Sequence, residues 1–244
     1  MDSRYPRPFL TAEWRYLLML NYEVDPALLK PLLPAGTTLD LWQDRALVSM
    51  VGFLFLNTRV RGLPIPFHRN FEEVNLRFYV RRTSAEGTSR GVVFVKEIVP
   101  KAMIAWVARW VYNENYVALP MSHVDEIGQN PEPRVTYRWE SGGRSHHMGV
   151  RVVGAAYVPD EASEETFITE HYWGYVRQRA GHTVEYQVEH PQWKVWRASE
   201  AEFECDVGAL YGAEFAPFLA GAPSSAFLAQ GSAVTVRRGR RLGS

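Results

Sequence analysis

The sequence predicts a mainly β fold, and three observations lead there. Residues 71–82, FEEVNLRFYVRR, alternate strictly: Val74, Leu76, Phe78 and Val80 face one way, and Glu73, Asn75, Arg77 and Tyr79 the other. A period of two is that of a strand. A second β-rich run, VVFVKEIV at 92–99, follows the turn-like SAEGTSRG, so 71–99 reads as a hairpin. Further short strand-like segments recur down the chain, while helical segments are few, short and scattered. Strands at short spacing with turn signals between them indicate a barrel or a sandwich, not a βαβ fold.

Taken in order, VDPALLKPLLPAG (24–36) is a short helix. Asp25 can cap it, Pro26 suits its first position, and Pro34 with Gly36 ends it. ALVSMVGFLFLNTRV (46–60) is a mostly buried strand region, and RGLPIPFHRN (61–70) is a proline-rich loop. After the hairpin, residues 101–112 look helical and apolar nearly all round, which marks a buried helix. RVTYRWES, HHMGVRVVGAAYV, HTVEYQVEH and WKVWRASEAEFE read as strands. Ser163 with EET starts a short helix running to about Thr169. The tail GSAVTVRRGRRL is a last strand with a basic, solvated end. No repeat or linker-like run divides the chain, so residues 1–244 are expected to form one domain.

Composition narrows the function classes. Net charge is zero, which gives no reason to expect a nucleic acid or an anionic membrane as partner. The apolar run YLLML is too short for a signal peptide, and no stretch reaches the roughly 18 apolar residues of a membrane span. Cys205 is the single cysteine, so no disulfide framework exists. A cytoplasmic protein is expected. P-loop, Rossmann, G-x-S-x-G and H-E-x-x-H patterns are missing. His146 and His147 are adjacent and would point to opposite faces of a strand, so one metal could not easily use both. Neither a cofactor nor a metal is expected.

Two stretches carry candidate chemistry. In a sandwich the row Glu73, Asn75, Arg77, Tyr79 would face water; in a small barrel it would line the lumen. There Arg77 suits a carboxylate, which it can grip through two parallel hydrogen bonds, and Glu73 would be an acid or base. Lys101 belongs to the same idea. The chain has four lysines against twenty-three arginines, and this one stands where the apolar helical segment begins. The positive field of a helix start and desolvation both disfavour an ammonium, and a lowered amine pKa is what a Schiff-base lysine needs. The plain alternative is a lysine that lays its stem over the helix and keeps its charge in water. The second stretch is FITEHYWGYVRQRAGHTVEYQVEHPQWKVW (167–196). Aromatic packing across strands is its simpler account; as a site, His171 or Tyr172 would be a pocket wall or proton donor. Candidate ligand contacts are therefore Asn75, Tyr79, His68, Arg69, His171, Tyr172 and Trp173, beside catalytic candidates Lys101, Glu73 and Arg77.

The segments NYEVDPALLKPLLPAGTTLDLWQDRALVSMVGF, FHRNFEEVNLRFYV, FITEHYWGY and VEHPQW together resemble the YqjF-like family of domains of unknown function, from about residue 10 to 238. That family is similar in turn to the acetoacetate decarboxylase superfamily. The resemblance implies an antiparallel β-barrel or cone around a central cavity, with small helices outside. It also implies that FEEV matches a glutamate motif through Glu73, and that VPKA matches a lysine motif through Lys101. Ala102 stands where the decarboxylases carry a second lysine. Decarboxylases of this superfamily assemble into oligomers, so a homo-oligomer is an expectation that the resemblance alone supplies. Two functions stay open: a cavity that binds a small, carboxylated molecule, and a decarboxylase or aldolase-type lyase acting on a small keto acid through Lys101.

Overall fold

The computed structural model describes residues 8–64, 68–100 and 115–242. Its organising feature is a closed circuit of strands. β1 (Pro8–Val24) pairs with β3 (Ala46–Val60), β3 with β5 (Phe71–Ser84), and β5 with β6 (Gly87–Val99), all antiparallel. β6 meets β11 (Trp173–Arg177) in parallel, and β11 pairs with β12 (Thr183–Glu189). β12 bonds to β14 (Ser225–Arg237), which returns to β1 and closes the ring. Closure removes the exposed edges that an open sheet would present.

The parallel junction is tight. Gly91 stands opposite Trp173, and a Cβ there would lie 2.5 Å from the Trp173 carbonyl oxygen. Only glycine lets the two backbones approach this closely.

From β14 the sheet continues outside the ring through β13 (Val195–Glu204), β10 (Arg144–Tyr157), β9 (Arg134–Ser141) and β8 (Met121–Asp125). This layer folds back over the ring. Tyr137, on β9, donates its hydroxyl to the Tyr16 carbonyl of β1 at 2.8 Å. The outer face of the ring and the added layer share one apolar core, in which Leu18, Leu20, Met50, Val74, Leu76 and Phe78 meet Val135, Trp139, Met148 and Val150. The inner face belongs to a second cluster with Leu17, Met19, Val51, Phe53, Phe55 and Tyr79. β5 therefore splits its residues between the two cores as its alternation requires, and both of its faces are buried.

Short helices close the gaps. α1 (Pro26–Leu29) is capped by Asp25, which accepts from the Ala27 amide at 2.7 Å, and a 3₁₀ turn (Lys30–Leu32) follows. α2 (Glu164–Thr169) is capped by Ser163 and sends Phe167 and Ile168 into the inner cluster, plugging one end of the ring. α3 (Val207–Tyr211) and α4 (Ala216–Leu219) pack on the outer core.

Some expectations need correction. YLLML is the centre of β1, the strand that joins both cores. The turn of the hairpin is shorter than 84–91, because pairing resumes at Gly87. The basic tail is not simply solvated: Arg237 pairs with Glu189 at 2.8 Å, and Arg240 with Glu185 at 2.7 Å, so the last strands are tied to β12. The apolar helical segment expected at 101–112, with Lys101, lies outside the described residues.

Candidate binding site in the barrel lumen

The inner face of the ring lines a partly open pocket of about 160 Å³. Every strand of the circuit contributes to its wall: Trp14 from β1, Phe55 from β3, Glu73, Asn75 and Arg77 from β5, Glu97 from β6, Trp173 from β11, Tyr186 from β12 and Val236 from β14. One side is aromatic. Phe55 stacks on Phe71 at 4.6 Å and meets Trp14 edge-on at 5.6 Å. The other side is polar, and its polarity comes from β5 and β6.

Glu73 and Asn75 are both buried. The Asn75 amide nitrogen donates to Glu73 Oε1 at 3.0 Å, and the Tyr116 hydroxyl donates to Glu73 Oε2 at 3.2 Å. Tyr116 lies on β7 (Tyr116–Ala118), which pairs in parallel with β6. The amide nitrogen of Asn75 thus has a partner, while its Oδ1 is buried with no hydrogen-bond partner among the described residues.

Glu97 is the residue the alternation pattern hid. In an unbroken strand, residues 92, 94, 96 and 98 would share a face. The pairing with β5 shifts between Leu76 and Arg77, so that Lys96 opposes Leu76 and Phe94 opposes Arg77. This bulge re-aims everything after it. Phe94 and Glu97 line the lumen, and Lys96 turns outward, where its Nζ donates to the Leu210 carbonyl. Burial pushes the Lys96 amine below its ordinary value. The signal in the sequence is the adjacent pair Lys96–Glu97 inside an apolar strand, where two neighbours cannot both reach water.

Arg77 extends its guanidinium along the lumen. It donates to the Ile168 carbonyl at 3.4 Å, contacts the Met19 sulfur at 4.0 Å, and lies 5.7 Å over the Tyr79 ring. Its Nε is buried without a partner, and no ion pair satisfies its charge among the described residues.

His171 follows α2 and is held edge to edge by its surroundings. Its ring lies 4.7 Å from Tyr79 and 5.2 Å from Phe167. Nε2 meets Asp40 Oδ2 at 3.1 Å, and the same oxygen accepts from Arg90 Nε at 2.6 Å. Burial pushes the Asp40 carboxyl up, but the hydrogen bonds from His171 and Arg90 outweigh it, so it sits below its usual value. Burial drives His171 down to about 4, against the opposing pull of Asp40, and the Arg90 and Arg77 charges add to the fall. His190, also on the wall, is likewise pushed down to about 4, chiefly by burial. It stacks on Trp193 at 4.0 Å.

Of the residues singled out in the sequence, Glu73, Asn75, Arg77, His68, His171 and Trp173 line this cavity. Three do not. Arg69 is exposed and donates to Asn57 Oδ1 at 3.2 Å. Tyr172 follows His171 directly in the chain and is not on the lumen wall: it donates to Glu170, and its ring lies tilted 4.7 Å from that of His190. Tyr79 is on the lumen face but behind His171, its hydroxyl 2.5 Å from Ser49 Oγ. Lys101 lies outside the described residues. Among the described residues, no group of three or more His, Cys, Asp or Glu side chains could hold a metal ion. None of the described helices is long and apolar enough to cross a membrane.

The chain belongs to the DUF2071 family, described as an uncharacterized conserved protein, whose profile matches residues 11–233. It is 27% identical over 201 residues to the uncharacterized protein YqjF of Bacillus subtilis, covering 81% of this chain and 78% of that one. Two solved structures share its fold at low identity. The enduracididine biosynthesis enzyme MppR complexed with pyruvate superposes with a TM-score of 0.68 at 16% identity, over 98% of this chain and 91% of that one. An acetoacetate decarboxylase from Legionella pneumophila gives 0.69 at 11% identity, over 98% and 89%. The acetoacetate decarboxylase-like fold expected from the resemblance is therefore the fold of this chain.

Proposed function

For this member of the DUF2071 family we propose that the barrel lumen binds a small carboxylated molecule and that Arg77 receives the carboxylate. One observation carries this: the half-buried Arg77 lines the pocket with its Nε buried and no carboxylate paired to its guanidinium among the described residues. Leaving such a charge unmatched is costly, and a planar carboxylate is its best complement. The aromatic side would take the apolar remainder of the ligand. A similarly folded enzyme, MppR, is complexed with pyruvate, a small carboxylate. A thermal-shift panel of short carboxylates and their matched amides tests the idea. Carboxylates should stabilise the wild type and lose that effect in Arg77→Leu; amides that stabilise equally well would overturn it.

A second function is imine chemistry through Lys101. It is favoured by the grouping of Glu73, Glu97 and Tyr116 on the lumen wall, groups able to move protons. Val99, at the end of β6 and two residues before Lys101, lies in the inner cluster. With a β-keto acid such as acetoacetate, the amine would add to the ketone and lose water to form an iminium. Loss of CO2 would then leave an enamine, which takes up a proton. Borohydride trapping with pyruvate or acetoacetate should mark Lys101 and fail in Lys101→Ala. An unmodified Lys101 in the folded protein would leave binding without turnover.

A further inference from the structure

We propose that the carboxylate bound in the lumen carries an aromatic ring, and that the aromatic side chains of the pocket wall select it. The inference deepens the carboxylate reading and rests on it. The two faces of the barrel differ in composition. Among the described residues, the outer core holds 21 aliphatic or methionine side chains and seven aromatic ones. On the apolar part of the pocket wall the balance reverses, with ten Phe, Tyr or Trp side chains against six Leu or Val. Filling a β core does not require this, since the outer core is filled mainly with Leu, Val and Met.

Many of the wall aromatics form one connected array. Trp14, besides meeting Phe55, lies edge-on to Phe53 at 5.2 Å and to Trp193 at 6.4 Å. Phe55 carries the array to Phe71, and Trp193 carries it to His190. His190 lies within the field of Arg77. Burial does most to push its ring below the ordinary value, against its hydrogen bond with the Pro191 carbonyl, and the Arg77 charge adds to the fall. On the opposite flank, Phe94 stands across from Arg77 in the pairing of β5 with β6, and it is a half-buried part of the wall. Aromatic surface therefore starts on both flanks of Arg77 and runs on through Trp193 and Trp14. The size agrees with one ring: an apolar cavity of about 150 Å³ takes up benzene, and this pocket measures about 160 Å³. Aromatic rings have negative faces and positive edges. A bound aryl group thus gains edge-to-face or offset contacts that a saturated ring of the same size does not.

Calorimetry on the full chain tests this with matched pairs. Phenylacetate, 3-phenylpropionate and 4-phenylbutyrate would each be compared with the cyclohexyl acid of the same chain length and with its own amide. The cyclohexyl acids are the more apolar, so burial alone predicts that they bind tighter. At the chain length that binds best, the phenyl acid is expected to bind about fivefold tighter than its cyclohexyl partner. Trp14→Leu or Phe94→Leu should remove that preference and keep the preference for acid over amide. Cyclohexyl acids that bind as tightly as phenyl acids, with both still ahead of the amides, would overturn the inference and leave the carboxylate reading standing. So would a phenyl preference that survives in both variants. Amides that bind as tightly as the acids, or no binding by any of the compounds, would overturn the carboxylate reading and the inference with it. The wild-type comparison needs no variant, so a variant that fails to fold leaves the test intact.

Discussion

Leu76 and Arg77 are neighbours on β5, yet they live in different proteins, so far as physics is concerned. Leu76 is fully buried between the ring and the outer sheet layer, among Met50, Val74 and Ile98. Arg77 looks into the lumen with an atom left unsatisfied. The outer core is almost wholly apolar, its unpartnered buried atoms being neutral tyrosine hydroxyls and an indole nitrogen rather than charges, and it sets stability. The lumen keeps buried carboxylates, an amide and a guanidinium at a cost that folding alone does not explain. A strand buried on both faces can divide labour this way only because alternate side chains never meet.

The comparison can be broken most forcefully from the outside. Leu76→Ala should destabilise the protein by about 3 kcal/mol through the transfer and cavity terms, read by urea denaturation. Ligand affinity in the lumen should barely change, because the residue does not reach it. Arg77→Leu should do the reverse: stability within about 1 kcal/mol of wild type or higher, since a desolvated charge is removed, and carboxylate affinity down by about tenfold or more. A large loss of stability in Arg77→Leu would erase the distinction between the two faces.

A pH series sharpens it. His171 is depressed from 6.5 to about 4 in the folded chain. Above pH 6.5 the ring is neutral whether folded or unfolded. As pH falls from 6.5 toward 4, the unfolded chain takes up a proton that the native ring refuses, so stability is lost across that window. His190 adds a loss of the same sign. His171→Phe should therefore show a shallower decline between those values in denaturation measured at successive pH. An unchanged slope would mean that the ring is not held neutral by burial. The smallest effect is expected at the periphery, where Asp25→Ala removes the cap of α1 and should cost about 1 kcal/mol in the same assay without touching ligand binding.

The resemblance carried much of what was legible. It supplied the decarboxylase-like fold and matched to a glutamate motif the Glu73 that the alternation had already singled out, which lines the lumen. The alternation of 71–82 placed Glu73, Asn75, Arg77 and Tyr79 on one face of β5. What escaped was whatever depended on irregularity. The bulge opposite Leu76 and Arg77 turned Glu97 inward against the simple period. Tyr172 sat one residue from His171 and so faced away, although sequence proximity had grouped them. Asp40 and Arg90 were invisible as a pair, because 50 residues separate them and the β2 (Thr38–Leu39) pairing onto β5 brings Asp40 to Arg90 and His171.

The sequence alone determined the strand character of β5, the caps of α1 and α2, and the segregation of polar from apolar side chains, because each depends on residues a few positions apart. Whether the polar row met water or a lumen was undecidable at that range. Only the long-distance closure of β12 onto β14, and the return of β8–β10 over the outer face, made both faces interior and turned an ordinary amphipathic strand into the wall of a site.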